Sequence, residues 1–310
     1  MMNILGKRYL FFGISLLIII PGIILAIIGL PLSIDFTGGS LLEVKFEGGK
    51  APQPAEIIAI YNGFGIKDVQ VQTTNQGVVI ARSSELTEGL NKQLEAEMGT
   101  RYPELGAVTE QNFETVGATV GKEVANRAAE VVAIAAVGVI LYIWFAFRKL
   151  PHALRYGLCA IIAMLHDIGI VVALGSIGGR LFGWQVDALY LTALLTVIGF
   201  SVQDKVVVFD RIRENSGIYR KLPFERLVNH SIIQTLQRSI NTQLMTVEFM
   251  LLALALFGGV TLREFAVILL VGLASGTYSS IFIAASILVV WENREWKKWF
   301  HRGDEAAAVG

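Results

Sequence analysis

The sequence predicts a polytopic α-helical membrane protein with six transmembrane helices and one extracytoplasmic α+β domain, of ferredoxin-like layout, between helices 1 and 2. Two observations predict this fold class. Hydrophobic residues make up 54% of the 310 residues and charged residues only 17%, a composition too apolar for a soluble protein. In addition, six long apolar stretches recur along the chain, and one polar interval, residues 31–127, separates the first from the second.

The first apolar stretch, residues 10–30, is long enough to cross a membrane. Its 21 residues form about 31 Å of helix, and a hydrocarbon core is about 30 Å thick. Lys7 and Arg8 precede it, as they would in a secretory signal, but Pro31 follows where a signal would have a small-residue cleavage site. We therefore predict that residues 1–30 form a cytoplasmic N-terminus and an uncleaved first span.

The polar interval 31–127 is predicted to be a small folded domain. Hydrophobic alternation and turn signals give the order strand, helix, strand, strand, helix, strand, over residues 40–46, 54–64, 68–73, 78–82, 87–98 and 109–116. This order is typical of two helices on one face of a four-stranded sheet. The interval contains no His and no Cys, so we expect it to bind or move rather than to catalyse.

Five further apolar stretches complete the predicted topology, at residues 128–147, 156–177, 188–209, 242–257 and 265–291. Residues 128–209 thus hold spans 2 to 4, 210–241 a cytoplasmic loop, 242–291 spans 5 and 6, and 292–310 a cytoplasmic tail. Fifteen Lys and Arg lie beside the spans on one side, whereas the short loops of the other side hold only Arg180 and Arg263. The positive-inside rule therefore predicts that both termini are cytoplasmic.

Ionisable residues inside apolar spans are costly and are candidates for function. The sequence has few, in the third, fourth and fifth spans and at the start of the fifth: His166, Asp167, Asp204, Lys205, Glu248 and Arg238. Helical rise places Arg238 within reach of Asp204, and Lys205 within reach of Glu248. Either a proton or cation relay or a static paired network would explain Asp204. For His166 and Asp167, pairing with each other and with nearby Ser is favoured.

Several strings of residues resemble one known family. Residues 199–215, GFSVQDKVVVFDRIREN, resemble the fourth-helix signature of the SecF family of bacterial protein-export membrane subunits. Five other strings agree, so that the resemblance covers nearly the whole chain: DFTGGS at 35–40, VGKE at 120–123, HDI at 166–168, RSINT at 238–242 and GTYSSIF at 276–282.

The resemblance implies a subunit of the bacterial cell (inner) membrane, in the resistance-nodulation-division superfamily. It implies that SecD is the partner, that the pair works beside the SecYEG translocon, and that the proton gradient drives late export of an unfolded preprotein. By the same resemblance, Asp204 is the proton-coupling carboxylate and Arg238 its basic partner.

The chain departs from the family pattern beside that carboxylate. The family has Ser or Thr after the carboxylate, whereas this chain has Lys205, and Glu248 stands where the family has mostly Ser, Thr or Leu. We hypothesise that Lys205 and Glu248 form a buried compensating pair. In that case either single replacement is costly, whereas the double replacement is tolerated.

Three other functions are weighed against coupled export. A small-molecule exporter of the same superfamily and a non-coupled structural subunit stay open as alternatives. An intramembrane protease using Ser201 and His166 is disfavoured because no oxyanion loop follows the serine. The chain is therefore predicted not to be an enzyme. Cys159 is the one cysteine, which excludes a disulfide framework or a Cys-based metal cluster. We expect no cofactor, no metal and no nucleic acid. The lipid bilayer is the remaining expected partner.

Overall fold

A computed structural model describes residues 3–74, 76–148, 153–242, 249–257 and 260–295. The chain forms two compact units. The helical unit consists of the described residues of Met1–Leu30, Val132–Trp184 and Leu189–Gly310. The sheet unit consists of those of Pro31–Val131 and Gln185–Ala188.

The first long helix, α1, runs over Arg8–Ile28 and follows a 3-10 turn at Leu5–Lys7. Many of its apolar side chains are exposed; Leu17 is 77% and Ile27 80% accessible. A helix that exposes large aliphatic side chains along its length matches a lipid surface rather than water. The predicted first span is therefore a helix whose outer faces suit a bilayer.

The sheet unit contains the predicted succession of strands and helices, preceded by one short helical turn. In chain order its elements are α2 (Ile34–Thr37), β1 (Gly39–Phe46), α3 (Pro54–Gly63), β2 (Gln70–Thr73), β3 (Val78–Ser83), α4 (Glu88–Arg101) and β4 (Val108–Val116). The strands form one sheet in the order β2-β3-β1-β4, and all three neighbouring pairs are antiparallel. The central strands are thus β1 and β3.

One hydrophobic core holds this unit together. Alternate residues of β1, namely Leu42, Val44 and Phe46, are buried, as the two-residue period of a strand requires when one face is covered. Helices α3 and α4 supply the rest of the core, chiefly Ile57, Ile60, Tyr61, Leu94 and Met98. Each large apolar side chain buried in this way contributes about 1.5–3 kcal/mol to folding before entropy is counted.

The remaining elements are helical. They are α5 (Ala118–Phe147), α6 (Ala153–Phe182), α7 (Ala188–Ile218), α8 (Phe224–Ile240), α9 (Phe249–Phe257), α10 (Val260–Tyr278), a π-helical segment (Ser279–Ala284) and α11 (Ala285–Glu292). Within the described residues, five helices are long and apolar enough to cross a membrane: Leu5–Ile28, Ala118–Phe147, Ala153–Phe182, Ala188–Ile218 and Leu262–Glu292. The protein is therefore a helical membrane protein with at least five candidate spans and a small sheet.

The helices differ from the predicted boundaries in two places. Helix α5 begins ten residues before the predicted boundary at 128, because its polar first turns carry no apolar signal. The predicted loop 210–241 is largely helical, since α8 buries one apolar stripe that includes Leu227, Val228 and Ile232. The predicted fifth span, 242–257, falls partly on residues 243–248, which lie outside the described residues; its last nine residues form α9.

Candidate functional site

Asp167 and Asp204, two carboxylates of the helical unit, have different surroundings. Asp167 is on α6 and is fully buried, whereas Asp204 is on α7 and is half-buried. Both helices are apolar over most of their length, so each carboxylate requires hydrogen-bond donors from its neighbours. The donors come mainly from serine side chains.

Asp167 accepts hydrogen bonds from five groups on four elements. One carboxylate oxygen contacts His166 Nδ1 at 3.0 Å and Ser275 Oγ at 2.9 Å, and the other contacts Ser201 Oγ at 2.6 Å, Ser279 Oγ at 2.6 Å and Lys205 Nζ at 2.7 Å. A carboxylate offers about four lone-pair positions, so this one is saturated. The contacts join α6, α7, α10 and the π-helical segment around one negative charge.

Lys205 is the cation of this network. Its side chain is fully buried, and its ammonium donates to Asp167 and to the hydroxyl of Ser201, one helical turn earlier on α7. A buried ammonium without a carboxylate would be strongly destabilising, so Asp167 compensates Lys205. The hypothesised partner of Lys205, Glu248, lies outside the described residues. Lys205 is thus paired with Asp167 of α6, a partner that was not predicted from the sequence.

His166 extends the network toward α1. Its Nε2 lies 2.8 Å from Ser15 Oγ, and its ring stacks on Tyr278 with a centroid distance of 6.0 Å. Tyr278 in turn donates to the carbonyl oxygen of Phe11. Since the two ring nitrogens of His166 contact Asp167 and Ser15, the imidazole is not hydrogen-bonded to Ser201. The Ser201–His166 dyad that a protease would need is therefore not formed.

Asp204 has fewer partners and faces open space. It accepts a hydrogen bond from Ser239 of α8 at 2.7 Å and another from Ser280 of the π-helical segment. Beside it is a small cavity of about 50 Å³, which is enough for a few water molecules. Seven residues line this cavity: Phe200, Gln203, Asp204, Val207, Arg238, Ser239 and Thr242.

Arg238 lines the same cavity as Asp204 but forms no hydrogen bond with it. Among the described residues there is no ion pair within 4.0 Å between the two side chains, and Arg238 is exposed. Arg238 nevertheless directly precedes Ser239, whose hydroxyl donates a hydrogen bond to Asp204. The predicted partners therefore line one cavity without forming a salt bridge.

The π-helical segment contacts both carboxylates through consecutive residues. Ser279 donates to Asp167, and Ser280 donates to Asp204. π-Helical turns are rare and often occur at functional sites. These serines lie in the family-like string GTYSSIF, and nothing in that string alone indicates that they contact the carboxylates. The signal available was the i, i+4 spacing of Ser275 and Ser279 in an otherwise apolar helix.

A second polar cluster lies near the N-terminal end of α1. Arg8 forms ion pairs with Glu225 at 3.0 Å and with Glu295 at 2.6 Å, and Tyr9 donates to Glu295 at 2.7 Å. Burial alone would raise the pKa of Glu295, but the hydrogen bonds from Tyr9, Asn293 and Arg8 outweigh it and hold that pKa below its usual value. This cluster ties α1 to α8 and to the residues after α11.

The described residues contain no group of three or more His, Cys, Asp and Glu that could hold a metal ion. A carboxylate accepts hydrogen bonds when ionised and becomes a donor when protonated, so a change in its protonation changes which neighbours it prefers. Of the two carboxylates, Asp204 has fewer hydrogen-bond partners and adjoins a cavity.

Comparison with known proteins identifies related chains. The family model described as "Protein export membrane protein SecD/SecF, C-terminal" matches residues 99–294, and the "SecD/SecF GG Motif" model matches residues 23–49. A protein translocase subunit SecF from Anaerolinea thermophila is 65% identical over 310 residues, which is the full length of both chains. A SecF from Thermobaculum terrenum is 46% identical, also over the full length of both.

Longer relatives contain this chain as one part. A SecDF from Bacillus subtilis is 34% identical over 94% of this chain and 38% of its own length. The crystal structure of SecDF from Thermus thermophilus, a translocon-associated membrane protein, superposes with a TM-score of 0.82 and 30% identity. That match covers 94% of this chain and 39% of the solved chain, so this chain spans about two fifths of it.

Proposed function

Because the chain belongs to the SecF family of protein translocase subunits, we propose that it acts with SecD, beside the SecYEG channel, to couple the proton gradient to late export of an unfolded preprotein. Full-length identity to SecF subunits favours this role over a small-molecule exporter of the same superfamily. The named relatives are translocase subunits, in agreement with a non-enzymatic role.

The contrast between the two carboxylates carries the proposal. Asp167 is saturated by five donors and neutralised by Lys205, so it serves as a fixed charge. Asp204 has two serine partners and a cavity that can admit water, so it can exchange a proton. We assign Asp204 as the coupling carboxylate and Arg238, across the same cavity, as its basic partner.

Protonation of Asp204 would weaken two contacts at once. The ionised carboxylate holds Ser239 on α8 and Ser280 on the π-helical segment, and charge-assisted hydrogen bonds of this kind are stronger than neutral ones. Loss of the charge would therefore release α8 and the π-helical segment from α7. In this proposal Lys205, Asp167 and His166 keep the other side of α7 in place and take no part in the proton relay.

The proposal includes a topology of six spans, with both termini cytoplasmic in the bacterial inner membrane. The apolar nine-residue helix α9 and its flanking sequence support a span in addition to the five candidates. The strand order β2-β3-β1-β4, with every pair antiparallel, supports a ferredoxin-like arrangement of the extracytoplasmic domain. The excess of Lys and Arg on one side of the spans supports the orientation.

SecD is the proposed partner because of the longer relatives. In Bacillus subtilis and Thermus thermophilus, the matching region is part of a single longer chain named SecDF. The present chain covers 38% and 35% of those two proteins. We infer that a separate SecD chain supplies the region that is fused in those relatives.

Asp204→Asn tests the proposed coupling. In vesicles that contain the complex with SecD and the translocon, this variant should export preprotein at the rate seen without a gradient, because Asn cannot exchange a proton. The matched control is Asp68→Asn, which changes an exposed aspartate of the sheet unit and should keep the stimulation by the gradient. Undiminished stimulation in Asp204→Asn would instead favour a non-coupled structural subunit.

A further inference from the structure

Residues 185–187 of the connection between α6 and α7 belong to the sheet unit. Residues Gln185–Ala188 pack with Pro31–Val131. Val186 donates to the carbonyl oxygen of Pro31 at 2.7 Å and accepts from the amide of Ser33 at 3.0 Å. These bonds form a parallel bridge between Leu32 and Val186. The segment that precedes α7 is therefore attached to the segment that follows α1.

Asp35 extends this attachment to α7 itself. Its Oδ2 accepts a hydrogen bond from the backbone N–H of Ala188, the first residue of α7, at 3.2 Å. The first N–H groups of a helix have no partner within the helix, and a carboxylate there also interacts favourably with the helix dipole. Asp35 is oriented in turn by Ser33, whose hydroxyl accepts from the Asp35 amide at 3.2 Å. The side chain thus caps α7 from a neighbouring turn.

A close backbone crossing fixes the same turn to the sheet. Gly38 ends the turn with φ +75°, and β1 begins at Gly39. A Cβ on Gly38 would lie 2.6 Å from the Cα of Ala118, and a Cβ on Gly121 would lie 2.5 Å from the Gly38 nitrogen. The chain that enters the sheet therefore passes directly against the start of α5. Only three residues separate Asp35 from β1.

We propose that Asp35 is a positioning residue that transmits movement of α7 to the sheet unit. Asp204 is on the same helix, 16 residues after Ala188, or about 24 Å along its axis. A continuous helix transmits a rotation or tilt from one end to the other, and the Asp35–Ala188 contact attaches its outer end. This proposal rests on the proposed function. It makes Asp35 necessary for converting protonation of Asp204 into movement of the sheet unit, but not for the protonation itself.

The test separates proton movement from export in the complete complex with SecD and the translocon. Asp35→Ala removes the acceptor, whereas Asp35→Asn keeps an oxygen that can accept from Ala188. Asp68→Ala is the matched control, because Asp68 is an exposed aspartate of the same unit. For each variant, gradient-driven proton uptake is measured with a pH-sensitive dye inside the vesicles, and gradient-stimulated export is measured with a radiolabelled preprotein.

We expect Asp35→Ala to retain proton uptake and to lose the gradient-dependent part of export, with Asp35→Asn and Asp68→Ala close to the unchanged protein. Amide hydrogen exchange at residues 188–191 should also be faster in Asp35→Ala alone. Full stimulation of export in Asp35→Ala, or unchanged exchange at these residues, overturns the proposal. So does an equal loss of proton uptake and export. If Asp204→Asn retains gradient-stimulated export, the proposed function is wrong. If Asp204→Asn loses it and Asp35→Ala retains it, the proposed role of the Asp35–Ala188 contact is wrong and the proposed function stands.

Discussion

The buried pair of Asp167 and Lys205 gives the sharpest prediction about stability. Its members lie on neighbouring helices, their charged atoms are 2.7 Å apart, and both side chains are at most 1% accessible. We consider Lys205→Met, Asp167→Leu and the double substitution, which replace the charges by apolar groups of similar size. The two single changes are not equivalent, because the partners left behind differ.

The structure sets the order of the costs. Lys205→Met leaves Asp167 with four of its five donors, so the loss is near that of one hydrogen bond to a charged group, about 1.5–3 kcal/mol. Asp167→Leu leaves a fully buried ammonium without the carboxylate that contacts it, which costs about 3–5 kcal/mol. The double substitution removes both charges and should cost less than Asp167→Leu alone. The expected coupling energy is therefore at least the cost of Lys205→Met, about 1.5 kcal/mol.

The assay is reversible unfolding in mixed detergent micelles, followed by tryptophan fluorescence. An exposed pair, Glu88 and Lys92 on α4, provides the control, since its atoms are 3.4 Å apart and its side chains are 80% and 71% accessible. Glu88→Leu with Lys92→Met should show a coupling energy below about 0.5 kcal/mol. The same cycle with Lys205→Met and Glu248→Leu tests the alternative partner.

Additive costs for the Asp167 and Lys205 substitutions would refute the reasoning, because they would mean that neither charge depends on the other. A large coupling of Lys205 to Glu248, with none to Asp167, would restore the pair hypothesised from the sequence. A double variant less stable than Asp167→Leu would show that Lys205 stabilises the fold through contacts other than Asp167, such as its hydrogen bond to Ser201.

Three further predictions concern single positions. Gly121→Ala should lower the free energy of unfolding by about 1–3 kcal/mol, because its Cβ would meet backbone 2.5 Å away, whereas Gly117→Ala, which has open space, should be nearly neutral in thermal unfolding. Ser280→Ala should reduce gradient-stimulated export, while Ser286→Ala, a buried serine whose hydroxyl has no partner among the described residues, should leave it unchanged. Glu295→Gln should lower the melting temperature at neutral pH, because an ionised carboxylate with a lowered pKa stabilises the folded state at pH values above its pKa in the unfolded chain. This stabilisation is lost as the pH falls through the pKa of Glu295 in the folded state, so the difference in melting temperature should shrink below about pH 4.5.

Much of the fold could be predicted from the sequence because it follows from local patterns. Alternation at Leu42, Val44 and Phe46 identifies β1, and Gly77, with φ +79°, marks the turn before β3. The pairing order of the strands could not be obtained in this way, since alternation specifies which face is buried but not which strand lies alongside. The early start of α5 was missed for a related reason: its first turns are polar and have no apolar period to detect.

The site shows where reasoning from depth in the membrane is insufficient. Helical rise placed Lys205 near the level of Glu248, but rise does not give the rotation of a helix about its axis. Asp204 and Lys205 are consecutive and so lie about 100° apart on α7. Lys205 shares a face with Ser201, four residues earlier, and this face meets Asp167. The Ser201 and Lys205 spacing was the available signal.

The consecutive serines of the π-helical segment limit how the last long helix can respond to a change at Asp204. Ser279 donates to Asp167, whose charge Lys205 balances, while Ser280 donates to Asp204, whose charge changes in the proposed function. If the hydrogen bond of Ser279 persists while that of Ser280 breaks, translation of this helix along the bilayer normal is opposed. Rotation of the helix about Ser279 then breaks the fewest contacts. The motion to look for in this helix is therefore a swivel of a few residues, with its height in the bilayer unchanged.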